Sequence, residues 1–315
     1  MEDKNVKGHA ALFVAYLIFG LNTPVSKAVL MDGDTSPMAL TFFRFAGAAA
    51  LFWFASLFAK REHVRRKDIG LFFVASLFGI LINQMSFIVG LSMASPVDAS
   101  VITATAPIMT MILAAFFLRE PITWKKTAGV LTGAAGAVLL ILNGQSVTAG
   151  QSNLTGDLLC LLSCAAFSVY LAAFKQLIVR YTPITSMKWM FLYATVCSLP
   201  FCWSDVAAVP YASLPVEQVL RMAFVVVLAT FVAYLLIPSG QKLLRPTVVS
   251  MYNYLQPLVA SVVAVALGMD TFGWTKGIAS LLVFLGVCAV TQSKSRAQLD
   301  AEQRRAPQQH DSPHK

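Results

Sequence analysis

Amide, hydroxyl and phenol side chains recur in the middle of the long apolar segments of this chain. Polar groups inside lipid are costly, so their first interpretation is a binding site in the interior of a helix bundle. Such a site offers hydrogen-bond partners to a zwitterion and aromatic walls to its side chain. The alternative is that they only link helices, with each bond contributing about 1 kcal/mol or less. The candidates for substrate binding are Asn22, Arg44, Asn83, Gln84, Thr103, Tyr170, Tyr234, Tyr252, Asn253 and Gln256.

Cationic side chains also lie inside apolar segments. Arg44 is too far from the edge of its segment to reach the lipid headgroups easily. It therefore needs an acceptor, which can be a substrate carboxylate, carbonyl groups at a helix end, or Asp98. Near the start of each half the repeat has an offset of 148 residues, which makes Asn22 equivalent to Tyr170 and Lys27 to Lys175. The two lysines predict paired gates, one on each side of a membrane. The alternative for both lysines is contact with headgroups. This excess of cations favours ligands that carry a carboxylate.

Pro107 and Pro257 stand 150 residues apart, each inside an apolar segment. Proline kinks a membrane helix, and such a kink can serve a gate but also occurs in static bundles. We expect gating for both prolines. We also assign Asp98, near the outer end of the Pro107 segment, to the gate. No acid falls in the middle of an apolar segment, and the four histidines are placed outside these segments. This favours facilitated diffusion or exchange over proton coupling, unless Asp98 carries the proton.

Helices that cross a membrane are the elements that must position these side chains. The chain is 57% hydrophobic and 12% charged, with a mean hydropathy of +0.69, which excludes an ordinary soluble protein. The apolar runs are continuous rather than alternating, so they predict helices and not barrel strands. The predicted transmembrane helices lie at about 9–30, 37–59, 69–92, 96–118, 124–143, 155–179, 184–203, 219–240, 246–267 and 274–293.

The second half of the chain repeats the first. At an offset of 150 residues proline, tryptophan, lysine and glycine recur in a fixed order. Each copy has five predicted spans, an odd number, so the second copy enters the membrane from the opposite side. We therefore predict an all-α integral membrane protein of ten helices in two inverted repeats, an arrangement that suits alternating access. The matching pairs include Pro96 and Pro246, Pro107 and Pro257, Trp124 and Trp274, Lys126 and Lys276, and Gly136 and Gly286.

The distribution of charge predicts the orientation. With the amino end in the cytoplasm, eighteen Lys and Arg residues lie inside and two outside, so both termini are expected in the cytoplasm of a cell (inner) membrane protein. The net charge of +9 is explained by this bias and does not indicate nucleic-acid binding. The basic tail is expected to lie against anionic lipid. The predicted parts are a first repeat at 8–143, an external linker at 144–154, a second repeat at 155–293 and a disordered cytoplasmic tail at 294–315.

Several motifs resemble one known family. The runs SPVDAS at 95–100, LREPIT at 118–123 and GAAGA at 133–137, with AYLIFGLNTPVSK at 15–27 and Arg44, resemble the EamA module of the drug/metabolite transporter superfamily. The second copy is weaker, because Met269, Asp270 and Thr271 stand where an acid-rich turn is expected. The resemblance implies a ten-helix permease for small polar or amphipathic metabolites, often amino acids and often moved outward.

Two other classes compete with a transporter. An intramembrane enzyme is disfavoured because the chain has no HExxH motif, no paired mid-span aspartates and no phosphate-binding glycine loop. A non-transporting membrane regulator or lipid-handling helper remains as the second alternative. The five cysteines lie within or beside the predicted spans and form no metal or disulfide framework. The expected partners are a small metabolite and the bilayer, with no cofactor, no metal and no nucleic acid; the oligomeric state is not predicted.

Overall fold

The computed structural model describes residues 2–93, 102–143, 154–266 and 274–293. Within these ranges the chain forms ten principal helices, and a short helix, Lys175–Arg180, follows the sixth. The helices are α1 Glu2–Met31, α2 Pro37–Phe58, α3 Arg66–Met93, α4 Ala106–Leu118, α5 Trp124–Asn143, α6 Leu154–Ala173, α7 Pro183–Ala207, α8 Val216–Leu243, α9 at 246–266 and α10 Trp274–Thr291. The helical class is confirmed for this part of the chain. Of the predicted parts, most of the linker 144–154 and the whole tail 294–315 lie outside it.

Five of these helices, α2, α3, α6, α7 and α8, are long and apolar enough to cross a membrane. Two shorter apolar helices, Ala106–Leu118 and Gly277–Thr291, accompany them. Large apolar side chains such as Phe58 and Phe116 are exposed on the outside of the bundle, as a lipid-facing surface requires. The chain is therefore a multi-pass membrane protein, and the number of ten spans stays a prediction.

Hydroxyl side chains and prolines begin the second helix of each half. Ser36 accepts a hydrogen bond from the backbone N–H of Ala39, 3.1 Å away, and Pro37 is the first residue of α2. Thr182 accepts in the same way from Thr185, and α7 begins at Pro183. A hydroxyl cap followed by proline satisfies free N–H groups and presets the helical backbone angle, which explains these starts.

Helices of the first half pair with helices of the second half. α1 packs against α8 and α9, and its repeat equivalent α6 packs against α3 and α4. The self-equivalent pairs α2 with α7 and α5 with α10 complete the bundle. We call α1, α8 and α9 the first bundle, and α3, α4 and α6 the second bundle. This exchange of partners is the packing expected of two copies related by a two-fold axis.

The glycine-rich faces of α5 and α10 lie against each other inside the molecule. A Cβ atom added to Gly286 would come within 2.6 Å of the Gly129 carbonyl oxygen and the Gly133 nitrogen. Backbones that approach this closely exclude any side chain larger than hydrogen. These small residues therefore serve packing within the bundle.

The helices are interrupted at repeat-equivalent positions. α3 contains a π segment at Leu77–Ile82 and α8 contains one at Val227–Val232, 150 residues further on. In α9 a 3-10 segment, Tyr252–Tyr254, comes just before Pro257. In the first half a non-helical turn precedes α4, and Pro107 is the second residue of that helix. π segments occur often at functional sites. The interruptions thus lie at corresponding positions of the two repeats.

Candidate functional site

Aromatic rings from four helices meet in the interior of the first bundle and beside it. The Tyr234 ring of α8 lies 5.1 Å from Phe191 of α7 and 6.0 Å from Phe19 of α1. Tyr16 of α1 lies 5.7 Å from Phe19 and 6.1 Å from Tyr252 of α9. Tyr16, Phe191, Tyr234 and Tyr252 are buried. We call Tyr16, Phe19, Phe191, Tyr234 and Tyr252 the aromatic cluster. Tyr234 and Tyr252 belong to the predicted set.

A chain of amide contacts joins this cluster to the second bundle. The Gln84 Nε2 of α3 donates to the Tyr234 hydroxyl at 2.5 Å and to the Asn83 Oδ1 at 3.2 Å. Asn83 in turn donates to the carbonyl oxygen and the hydroxyl of Ser163 in α6, at 3.1 and 3.0 Å. Gln84 and Tyr234 are themselves 150 residues apart, so their contact joins equivalent positions of the two repeats. Asn83 has the helix-linking contacts of the alternative interpretation, whereas Gln84 reaches the aromatic cluster.

Arg44 is the charged group of this region. Its residue is 4% exposed, and its Nε donates to the Thr230 hydroxyl of α8 at 3.0 Å. The Thr230 hydroxyl donates in turn to the Val225 carbonyl oxygen at 2.8 Å. Thr230 lies one helical turn before Tyr234 in α8, so Arg44 contacts the same stretch of that helix as the aromatic cluster. Within the described ranges no acidic side chain pairs with Arg44, and Asp98, one of its expected acceptors, lies outside them.

Tyr170 and Asn22, which are equivalent in the repeat, have different surroundings. Tyr170 is buried against α3, where a Cβ atom on Gly79 would lie 2.7 Å from its ring. It belongs to the same buried apolar core as Tyr16 and Tyr234. The Asn22 Oδ1 instead accepts from the Ser26 hydroxyl one turn along α1, at 3.1 Å.

The remaining binding candidates make local contacts. The Gln256 amide donates to the Asn253 Oδ1 at 3.1 Å, so these two side chains pair with each other along α9. Thr103 is half-buried beside the turn that precedes α4 and has an interaction of its own. None of these three is linked by a hydrogen bond to the aromatic cluster within the part of the chain that is described.

The structure describes three of the five predicted gate residues in full: Lys175, Pro107 and Pro257. The Lys175 ammonium donates to the carbonyl oxygens of Gln241 and Leu244, at the carboxyl end of α8. It thus stabilises free carbonyls and the negative end of a helix dipole, and it ties the end of the second bundle to the first. Pro107 and Pro257 follow the helix interruptions described above. The Lys27 side chain and Asp98 lie outside the described residues.

Three features were not predicted from the sequence. Thr230 was missed, although a hydroxyl in an apolar run is the signal that selected Thr103. His9 lies inside α1, because that helix begins at Glu2, and its Nδ1 is 2.7 Å from the Tyr252 hydroxyl. Lys126 is buried at the start of α5 and forms a 2.7 Å ion pair with Glu120. At the offset of 150 residues Lys126 aligns with Lys276 and its exposed neighbour Lys125 with Thr275, but the repeat does not indicate that Lys126 is buried.

Comparison with known proteins identifies the family. Residues 6–142 and 154–292 each match the EamA-like transporter family. The chain belongs to this family. Membership also makes it a transporter of the drug/metabolite transporter superfamily, and the two matched stretches fit the two-repeat architecture.

Several relatives of this EamA-like transporter are named. The uncharacterized transporter YyaM of Bacillus subtilis is 24% identical over 285 residues, which are 89% of this chain and 93% of that protein. The S-adenosylmethionine uptake transporter of Rickettsia bellii is 25% identical over 61% of this chain and 63% of its own length. A probable terminal-alkyne amino-acid exporter of Streptantibioticus cattleyicolor is 30% identical over 53% of this chain and 54% of its own. One protein crystal structure, 18% identical, superposes with a TM-score of 0.72 over 92% of this chain and 98% of that one, which shows a shared fold.

Proposed function

We propose that this EamA-like transporter is a permease for small polar or amphipathic metabolites that carry a carboxylate, such as amino acids, and that it exports them by alternating access. It lies in the cell (inner) membrane with both termini in the cytoplasm, as the distribution of Lys and Arg predicts. The central site is formed by the aromatic cluster together with Gln84, Thr230 and Arg44.

Arg44 is the observation that carries the proposal. A buried guanidinium is expensive unless an anion or several acceptors neutralise it. Within the described residues it has one hydroxyl partner, Thr230, and its two terminal nitrogens form no hydrogen bond. Arginine pairs with a carboxylate through two parallel hydrogen bonds, which is the strongest polar contact available here. A carboxylate-bearing substrate therefore supplies the missing charge.

The surroundings of Arg44 suit an amphipathic molecule. Tyr234, one turn after Thr230 in α8, and Phe191, 5.1 Å from Tyr234, offer apolar rings, while the buried Tyr16 hydroxyl has no hydrogen-bond partner in the described part of the chain. Buried polar atoms are normally satisfied, so an unpaired phenol in the aromatic cluster is a natural contact for a ligand. Apolar walls with a few polar groups are typical of small-molecule sites.

The relatives support the substrate class more than the direction. The names of two relatives specify S-adenosylmethionine and a terminal-alkyne amino acid, and both molecules contain an amino acid group. One relative is named for uptake and the other for export. Export therefore depends on the family resemblance, while the exchange of helix partners between repeats supports alternating access.

Purified protein in liposomes tests the proposal. Each of the twenty radiolabelled amino acids is offered singly, and counterflow is measured for the wild type, Arg44→Ala and the control Lys188→Ala. Lys188 is a second cation in a predicted span, but it stacks on Trp53, 5.0 Å from the ring centre. We expect flux for at least one amino acid, lost in Arg44→Ala and retained in Lys188→Ala.

Two outcomes oppose the proposal. Flux that survives Arg44→Ala rejects the carboxylate site. Absence of flux with every amino acid, together with capture of a specific protein partner, supports the competing regulator.

A further inference from the structure

Thr230 lies in the π segment of α8, directly against Arg44. Its residue is 1% exposed, so water does not compete for its hydroxyl. The hydroxyl makes two hydrogen bonds: it donates to the Val225 carbonyl oxygen at 2.8 Å and accepts from the Arg44 Nε at 3.0 Å. Val225 is five residues earlier, the spacing of a π turn. The side chain therefore satisfies a backbone carbonyl at the place where the regular helical pattern is interrupted.

The two bonds fix the direction of the hydroxyl. A threonine hydroxyl has one proton, and here the Val225 carbonyl takes it. Only lone pairs then face Arg44, so Thr230 can accept from the guanidinium and cannot compete with it for an anion. Because the Nε–H is used, the guanidinium keeps its two terminal nitrogens as the edge available to a carboxylate.

We infer that Thr230 is a positioning residue that orients Arg44 so that its terminal edge binds the substrate carboxylate. This inference rests on the proposed function. Thr230 itself does not touch the carboxylate; it sets which edge of the guanidinium is free. Since the same hydroxyl holds the Val225 carbonyl, the anion-binding edge is tied to the π segment of α8.

The repeat provides a comparison inside the molecule. The position equivalent to Thr230 in the π segment of α3 is Ile80, which is buried and has no hydroxyl. A π segment thus forms in α3 without a hydroxyl at this place. The hydroxyl in α8 is therefore not a general requirement of the segment, and its bond to Arg44 is the feature that separates the two copies.

Two matched substitutions test the inference in proteoliposomes. Thr230→Val keeps the shape of the side chain and removes the hydroxyl, while Thr230→Ser keeps the hydroxyl and removes the methyl group. The probe is the amino acid with the largest Arg44-dependent counterflow in the panel of twenty. Melting in detergent is recorded for each variant to check its folding.

We expect Thr230→Val to raise the KM for this amino acid at least about tenfold, the size of a lost bond to a charged group, and to change the maximal rate about twofold or less. Thr230→Ser should keep the wild-type KM. An unchanged KM in Thr230→Val overturns the inference, as does an equal rise in KM in both variants, because Thr230→Ser keeps the hydroxyl. If Thr230→Val does not fold, Thr230→Ser and Thr230→Ala are compared in its place, and equal KM values reject the inference.

The two proposals fail in different ways. If Arg44→Ala abolishes flux and Thr230→Val leaves KM unchanged, the carboxylate site stands and Thr230 has no positioning role. If Arg44→Ala has no effect, or no amino acid gives flux, the proposed function fails and this inference fails with it.

Discussion

The two ends of the helix bundle are held by different kinds of polar contact. At one end, which we call the Glu120 end, carboxylates are withdrawn from water. Glu120 and Lys126 form an ion pair whose side chains are 11% and 1% exposed. Nearby, the Asp68 carboxylate, 5% exposed, accepts from Arg180 and from the Tyr181 hydroxyl at 2.7 and 2.6 Å.

The other end, which we call the Asp32 end, is held at the surface. Arg221 bridges Asp32 and Glu217, whose side chains are 42% and 75% exposed. Ser36 also donates to Asp205 at 2.6 Å. Exposed ion pairs contribute little because water screens them, whereas a buried pair is costly to break. Among the described residues the Glu120 end therefore has the more buried carboxylates, and in the proposed orientation it faces the cytoplasm.

Breaking the buried ion pair should have the largest effect on stability. Glu120→Gln leaves the Lys126 ammonium without its counter-charge, and we expect a loss of about 3 kcal/mol or more in the free energy of unfolding. Thermal melting in detergent measures the change. The double variant Glu120→Gln/Lys126→Met removes both charges and should recover much of the loss; a double variant as unstable as the single one contradicts the prediction.

Glu62 should produce a smaller effect that depends on pH. Burial raises the pKa of its carboxyl, but hydrogen bonds from Thr185 and Thr182 outweigh burial, so the pKa is lowered. A lowered pKa gives stability above the unfolded value of about 4.3, and this stability is lost as pH falls through the folded pKa. We expect Glu62→Gln to melt below the wild type at pH 7, with the difference shrinking below about pH 4. A difference that is constant from pH 7 to pH 3 would refute this origin.

The surface contact of the Asp32 end should have the smallest effect. Arg221→Ala removes both of its ion pairs, yet we expect a change of less than about 1 kcal/mol because all three side chains are partly in water. The same melting assay measures it, with Lys67→Ala, an exposed residue of the opposite end, as the control. If Arg221→Ala lowers stability as much as Glu120→Gln, the two ends do not differ in the way that burial indicates.

The pattern of the repeat predicted the architecture better than the site. An odd number of spans per copy implied opposed copies, and the pairing of α1 with α8 and α9 and of α6 with α3 and α4 agrees with that. Apolar runs and prolines are visible in any sequence. They depend on local composition, which is why the helices could be anticipated, whereas the π segments of α3 and α8 were not predicted.

The candidate site could be predicted from the sequence only where a residue is conspicuous by type. Arg44, Gln84 and Tyr234 stand out in apolar runs; in the structure Gln84 donates to Tyr234, and Arg44 donates to Thr230 one turn away on the same helix. The role of Thr230 depends on which helix faces Arg44, a fact of tertiary packing that spacing does not contain. Lys126 and its neighbour Lys125 are likewise the same by type, and only the packing of α5 buries the first and exposes the second.

The matched π segments of α3 and α8 also bear on the history of the molecule. A π turn contains one residue more than an α turn, so it behaves as a single-residue insertion in a helix. Here both insertions fall at aligned positions, and the two halves stay in register across them without a gap. One insertion in a half-length ancestral chain, made before its gene was doubled, would account for both segments. Thr230, whose aligned position holds Ile80, marks what one half acquired, or the other lost, after that event.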